Sequence, residues 1–134
     1  MTGRLLASLL LASLPGLAQA QSGKPISPEA FLLRAEGRTL TFTALFGGEV
    51  GRERFMSRTS SVWTEPDGTC GYGTIWIDGP LLCFNYDFDP TRDHCWLTFS
   101  DNGRLRVESV PGGSTQIITN IDTQPLGCEG EPLS

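Results

Sequence analysis

Hydrophobic and polar residues alternate along most of the chain after residue 38. In the first clear case Leu40, Phe42, Ala44 and Phe46 alternate with threonines. A period of two is typical of a β-strand with one buried face. Clusters of Gly, Pro, Asp and Asn then recur at strand-length spacing and indicate turns. They separate further predicted strands at 50–58, 60–65, 71–77, 81–87, 93–100, 104–110 and 115–122.

One short helix is predicted ahead of these strands. Ser27 suits the N-cap, Pro28 the first turn, and Glu29 the positive end of the helix dipole. The helix would run over 30–36 and end at Gly37. Because no second helical pattern separates the strands, successive strands should pair antiparallel. The predicted fold class is all-β: an antiparallel meander forming a small up-and-down barrel or a strongly coiled sheet, with one short N-terminal helix and disulfides.

Residues 1–20 have the pattern of a cleavable signal peptide. Arg4 precedes an apolar run at 5–14, and Ala18-Gln19-Ala20 fits the small–x–small site of signal peptidase. The run is much shorter than the roughly 20 apolar residues of a membrane span, which disfavours an uncleaved anchor. We expect cleavage after Ala20 and a periplasmic or secreted location.

The remaining chain, 21–134, is long enough for a single β domain, with an ordered part expected at about 27–128. Without Arg4 it carries nine basic and fifteen acidic residues, a net charge of −6. Such an acidic chain is not expected to bind nucleic acid or anionic lipid. We also expect no membrane insertion after signal cleavage.

Four cysteines, Cys70, Cys83, Cys95 and Cys128, are expected to form two disulfides. An even number of cysteines in an exported chain is typical of disulfides. Structural zinc sites use closely spaced pairs, whereas 12, 11 and 32 residues separate these cysteines. Cys83 and Cys95 lie symmetrically about residue 89, among turn-forming residues, so a hairpin centred there places them opposite each other. Cys70 then pairs with Cys128.

Turn geometry decides which side chains share a face, because a shift of one residue moves every side chain to the other face. We expect three-residue loops at 78–80 and 101–103, since these keep aliphatic residues together. A two-residue Asn102-Gly103 turn would instead group Leu97 and Phe99 with charged residues. The expected aliphatic face comprises Ile75, Ile77, Leu81, Cys83, Cys95, Leu97, Phe99, Leu105 and Val107.

The opposite face of these strands is aromatic and semi-polar, and we call it the candidate face. Its main members are Tyr72, Trp76, Phe84, Tyr86, Arg92, His94 and Trp96. Aromatic, His and Arg side chains suit recognition of a ligand or partner. Two interpretations stay open: the candidate face packs as a second layer under the helix, or it lines a pocket or contacts a partner.

No catalytic or cofactor motif is found in the sequence, so we expect a non-enzymatic protein without cofactor or metal. His94 is the only histidine, and the neighbouring Cys95 points to the other face of the strand, which excludes a Cys–His dyad there. A Ser-His-Asp arrangement stays open, since its members meet only in space. The acidic loop 87–93 lacks the Gly and Glu of a calcium-binding loop, and we interpret it as a hairpin tip.

Three arginines, Arg52, Arg54 and Arg58, share one face of a predicted strand. An anion site is one interpretation of this pattern. The interpretation we favour is a solvated face with acidic partners. The acidic residues available nearby are Glu49, Glu53 and Glu65.

Several segments resemble small exported bacterial β domains of unknown function, which commonly read G-x-W-x-V-x-G…L-C…C-W. The segments are Gly37–Phe42, Thr74–Gly79, Leu82–Tyr86 and Cys95-Trp96. This resemblance covers about 37–110 and implies a fold but no functional residues. The order of a helix followed by antiparallel strands is also similar to the lipocalin plan, although Thr39 stands where the lipocalin G-x-W motif has Trp.

The function we expect is that of an exported binding or accessory module. One alternative is a lipocalin-like carrier of a small apolar ligand, which requires a cavity between the strands. Another is a hydrolase inhibitor or envelope-interaction protein, which requires an exposed loop or aromatic patch. The expected partner is therefore a small ligand or an envelope protein. An interior cavity of roughly 300 Å³ or more would favour the carrier.

Overall fold

The computed structural model describes residues 2–3, 10–13 and 23–131. Most of the predicted signal peptide, including the expected cleavage site after Ala20, lies outside the described residues. In the described ranges, no helix has the length and apolar character needed to cross a membrane.

The described residues form one helix and nine strands, and every predicted element is present. The elements are β1 Lys24–Pro25, α1 Pro28–Ala35, β2 Thr39–Ala44, β3 Glu49–Phe55, β4 Ser60–Thr64, β5 Cys70–Asp78, β6 Leu81–Tyr86, β7 Asp93–Asp101, β8 Arg104–Val110 and β9 Thr115–Asp122. The two-residue β1, which pairs with Phe99 and Ser100 of β7, precedes the expected ordered part and has no counterpart in the prediction.

Strands β2 to β9 form a closed up-and-down barrel. Each strand pairs antiparallel with its neighbours in sequence, and β9 returns to pair with β2. The hydrophobic pattern is compatible with both a barrel and an open coiled sheet, and the β2–β9 pairing decides for the barrel. Closure pairs the edge strands with each other and encloses one face of all eight strands.

The helix α1 covers one end of the barrel. The Ser27 hydroxyl accepts a hydrogen bond from the Ala30 N–H (3.1 Å) and caps the helix, as predicted. Phe31 is buried and packs against Phe55 of β3, with ring centroids 6.1 Å apart. Arg34 donates to the Gly103 carbonyl in the β7–β8 turn (2.6 Å). We call this the helix end; the loops after β2, β4, β6 and β8 form the opposite, loop end.

The predicted disulfide hairpin is confirmed. Cys83 and Cys95 are directly opposed in the β6–β7 ladder and form a disulfide, with Cα atoms 4.1 Å apart. Leu82 opposes Trp96, and Phe84 opposes His94. Spacing about the turn therefore predicted both the bond and the register.

The second disulfide joins Cys70 to Cys128, as predicted, and holds the C-terminal segment on the outer surface of the barrel. The Thr39 hydroxyl donates to the Gln124 carbonyl (2.6 Å). Glu131 accepts hydrogen bonds from three backbone N–H groups and lies 3.4 Å from the guanidinium of Arg54. The segment thus buries an outward-facing part of β3 that the sequence suggested would be solvated.

The two other hairpin registers differ from the prediction by one residue. Asp101 pairs with Arg104 across a two-residue Asn102-Gly103 turn, in which φ is 50° and 85°. These positive values are what a tight type I′ hairpin turn needs. Asp78 likewise pairs with Leu81, so the β5–β6 turn also has two residues. Turn chemistry, rather than grouping of aliphatic residues, sets both registers.

These registers divide the expected aliphatic face between the two surfaces of the barrel. Ile75, Leu105 and Val107 belong to the buried core, whereas Cys83, Cys95, Leu97 and Phe99 share the opposite, outer surface. Phe99 pairs with Arg106 in the ladder, and the guanidinium carbon of Arg106 lies 4.1 Å from the centroid of the Phe99 ring. The barrel interior is therefore the aromatic side of β6 and β7.

Candidate functional site: an internal aromatic cavity

An internal cavity of about 300 Å³ lies in the barrel, between α1 and the loop end. Its walls come from the helix, from seven of the strands and from two loop-end positions. The lining residues are Phe31, Phe42, Glu53, Trp63, Glu65, Leu82, Phe84, Tyr86, Phe88, His94, Trp96, Val107 and Gln116. Among them Glu65 and Phe88 are exposed at the loop end, so the cavity lining extends to the surface at this end, which we call the entrance.

Aromatic rings form most of the cavity wall. Phe84, Tyr86 and Phe88 follow one another along one face of β6 and the loop beyond it. Their rings are stacked, with centroids 6.0 Å and 5.2 Å apart. Across the barrel, the rings of Phe42 and Trp63 are 5.7 Å apart and tilted. Such walls supply a large apolar contact area to a small ligand.

Interior glycines make room for these rings. The ring of Trp63 lies over Gly51 and that of Phe88 over Gly71, so closely that a Cβ atom at either glycine would collide with the ring. Glycine inside a strand often marks such a close approach. In this barrel the glycines let the large rings lie against the wall, so that the centre stays open.

Glu53 is the most unusual residue of the cavity. Its side chain projects inward from β3 and the residue is 3% exposed. The Ser61 hydroxyl donates to Oε1 (2.6 Å), and the Tyr86 hydroxyl lies 2.9 Å from both carboxyl oxygens. Gly73 permits this arrangement, because a Cβ there would lie 2.6 Å from the Ser61 Oγ.

Burial controls the ionisation of this pair. Loss of water raises the pKa of Glu53 from 4.5 to about 7, against the lowering effect of the hydrogen bonds from Ser61 and Tyr86. Burial first, and then the charge and hydrogen bonding of Glu53, raise the pKa of the Tyr86 hydroxyl well above 10.0. The cavity therefore holds a carboxyl group that changes charge near neutral pH.

His94 is a second polar group of the cavity. Its ring meets the Tyr86 ring edge-on, with centroids 5.7 Å apart. Its Nε2 atom is buried and has no hydrogen-bond partner within the part of the chain that the structure describes. A buried polar atom without a partner is costly, and a ligand in the cavity could supply the missing bond.

The structure brings together four members of the candidate face: Phe84, Tyr86, His94 and Trp96 line the cavity. Both interpretations of the face hold for them in part, because the face packs with Phe31 of the helix and also borders open space. The grouping of Tyr72, Trp76 and Arg92 with them is wrong. The one-residue register difference places Tyr72 and Trp76 on the outer surface, and Arg92 is exposed in the β6–β7 loop.

Sequence reasoning missed Glu53 as a cavity residue and considered it only as a surface partner for arginines. In the structure Arg52 pairs with Glu49 (3.4 Å), Arg58 with Glu36 (3.6 Å), and Arg54 with Glu131. The available signal was parity: if Arg52 and Arg54 face outward, Glu53 between them must face the interior.

Comparisons of this chain with known protein families, with curated proteins and with solved structures gave no match. Fold and site together define the class as an eight-stranded antiparallel barrel with an aromatic internal cavity.

Proposed function

We propose that the protein is a non-enzymatic binding module that carries a small, largely apolar ligand inside its barrel. The observation that carries this proposal is the cavity of about 300 Å³, which is at the lower end of the size range of small-molecule sites. Its wall is predominantly aromatic, with a few polar groups that could orient a ligand. This combination is typical of ligand sites rather than of a fully packed core.

The two ends of the barrel support a carrier. At the helix end Phe31, Leu32 and Ala35 are each 2% exposed or less, so the helix closes the cavity at this end. At the loop end Phe88 is 53% exposed and Phe46, in the turn after β2, is 98% exposed. Exposed aromatic residues around an entrance favour capture of apolar molecules.

We also propose that the protein acts outside the cytoplasm, in the periplasm or as a secreted protein. The two disulfides support this, since such bonds persist in oxidising compartments. The test is N-terminal sequencing of the exported form, which should begin at Gln21. An exported form that begins at Met1 would contradict the predicted processing.

The carrier proposal is tested with N-phenyl-1-naphthylamine, an uncharged dye that fluoresces in apolar surroundings. The purified protein should bind one dye molecule per barrel. Val107→Phe fills the cavity from β8 and should abolish dye binding, whereas Val110→Phe, the same change at a 38% exposed position of β8, should not. Leu82→Phe fills it from a second wall and guards against misfolding of one variant. If Val107→Phe and Leu82→Phe both fold and still bind the dye as tightly as wild type, the proposal is overturned.

A further inference from the structure

We infer that the ligand is a small organic cation, an amine whose ammonium group binds at Glu53 and whose hydrocarbon part packs against the aromatic walls. This inference rests on the proposed carrier function and specifies its ligand class. It follows from the charges lining the cavity, the hydrogen bonding of Glu53 and the nature of the walls.

The charge of the cavity favours a cation. Two carboxyl groups line it, Glu53 inside and Glu65 at the entrance, and none of the described lining residues is Lys or Arg. An anionic ligand such as a fatty acid would meet like charge without a fixed cation to offset the loss of its water. An ammonium group would instead form a charge-assisted hydrogen bond with a carboxylate.

Glu53 retains capacity to accept a further hydrogen bond. Its Oε1 atom accepts from both Ser61 and Tyr86, whereas Oε2 has only the shared Tyr86 hydroxyl among the described residues. An ionised carboxylate offers about four acceptor positions. The two hydroxyl groups therefore hold the carboxylate in place while Oε2 remains available to a donor in the cavity.

The walls are suited to the same ligand. Aromatic faces attract cations through their quadrupole, more strongly when water is excluded. The stacked rings of Phe84, Tyr86 and Phe88 lead from the entrance to Glu53, because Tyr86 belongs to the stack and also donates to the carboxyl group. A flat aromatic ring that carries an alkylamine side chain could pack against these rings and place its ammonium group at the carboxylate.

The ionisation of Glu53 is consistent with this assignment. With a pKa of about 7, Glu53 is partly protonated at neutral pH, which limits the cost of a buried charge without ligand. An ammonium group would favour the ionised form and release that proton. The other titratable groups bordering the site are Tyr86, Glu65 and His94, while Arg54 lies on the outer surface and pairs with Glu131.

The test uses three ligands that share the indole ring and carry a cationic, a neutral or an anionic head group: tryptamine, tryptophol and indole-3-acetate. Calorimetric titrations at about pH 8, above the pKa of Glu53, should show that wild type binds the amine about tenfold or more tighter than the alcohol. Glu53→Gln should remove this preference. Glu49→Gln, which removes an exposed carboxylate of the same strand outside the cavity, should keep it.

The outcomes separate this inference from the carrier function. Equal binding of tryptophol and tryptamine, or tighter binding of indole-3-acetate, would overturn the cation assignment and leave the carrier intact. The same holds if none of the three binds while N-phenyl-1-naphthylamine still does. If that dye also fails to bind, the carrier function itself is wrong. The wild-type comparison needs no variant, so a Glu53→Gln protein that does not fold would not block the test.

Discussion

The hydroxyl group of Tyr86 lies 2.9 Å from both carboxyl oxygens of Glu53, in the interior of the barrel. The ring of Tyr86 stacks between Phe84 and Phe88, so one side chain belongs both to the apolar wall and to the polar group of the cavity. A ligand that displaces or reorients this ring must also change the surroundings of the carboxyl group.

The ligand-free protein should lose stability as the pH rises from about 4.5 to about 7. The folded state raises the pKa of Glu53 above its ordinary value, so over this range the folded protein holds a proton that the unfolded chain has released. Stability falls wherever the folded state binds more protons. The shift corresponds to about 3 kcal/mol, measurable by urea unfolding across this pH range.

Glu53→Gln should remove this part of the pH dependence, because the amide has nearly the same shape and does not titrate. His94→Gln is the matched control: it replaces a second polar side chain of the cavity lining and should leave the Glu53 contribution in place. If the dependence of stability on pH persists in Glu53→Gln and disappears in His94→Gln, its assignment to Glu53 is wrong.

The hairpin at Cys83–Cys95 shows how far sequence reasoning reaches in this fold. Two independent signals, the cysteine spacing and the turn residues, agree on a centre at residue 89, and the structure has that register. At Asn102-Gly103 two signals disagree. Grouping the aliphatic side chains on one face favours a three-residue loop, whereas the Asn-Gly pair favours a two-residue turn. The structure has the two-residue turn.

The reason for that error is that a barrel has two partly buried surfaces. The outer surface of β7 and β8 carries Phe99 under the Arg106 guanidinium, and Arg106 in turn pairs with Asp101 (2.9 Å). Apolar side chains there are half-buried by charged neighbours, so hydrophobicity alone does not identify the interior. Pairing of β2 with β9 closes the barrel and so encloses the inward face of β3, which carries Glu53. This pairing joins strands that are far apart in the chain and has no local sequence signal.

Gly73→Ala should disturb the cavity from a position that carries no functional group. The new Cβ would lie 2.6 Å from the Ser61 Oγ and 3.0 Å from the Tyr86 ring, both of which bond to Glu53 through their hydroxyl groups. Forcing extra volume into a packed interior costs about 1–3 kcal/mol, and amine binding should weaken as well. Chemical denaturation and calorimetric titration with tryptamine measure the two effects.

Gly48→Ala is the control for this substitution. Gly48 lies in the turn after β2, and a Cβ atom added there would have no neighbouring atom within 4 Å, so stability should change by no more than about 0.5 kcal/mol. If Gly73→Ala proves equally neutral, the close approach of Ser61 and Tyr86 to β5 is not a constraint on the site.

The buried contact between Arg54 and Glu131 should hold the C-terminal segment on the barrel more tightly than the disulfide alone. Both side chains are 6% exposed or less, and the Glu131 carboxylate also accepts from the N–H groups of Leu126, Gly127 and Cys128. Glu131→Ala removes all of these bonds and takes a carboxylate away from a buried guanidinium. We expect a loss of about 3 kcal/mol in unfolding free energy.

Hydrogen exchange locates this loss. Because Cys70–Cys128 still tethers the segment, Glu131→Ala should speed exchange at Leu126, Gly127 and Cys128 before it affects the barrel strands. Glu129→Ala, which truncates an exposed acid of the same segment, should leave exchange there unchanged. If Glu131→Ala exchanges no faster than Glu129→Ala, the disulfide alone orders the segment, and the ion pair contributes nothing beyond satisfying its own buried charges.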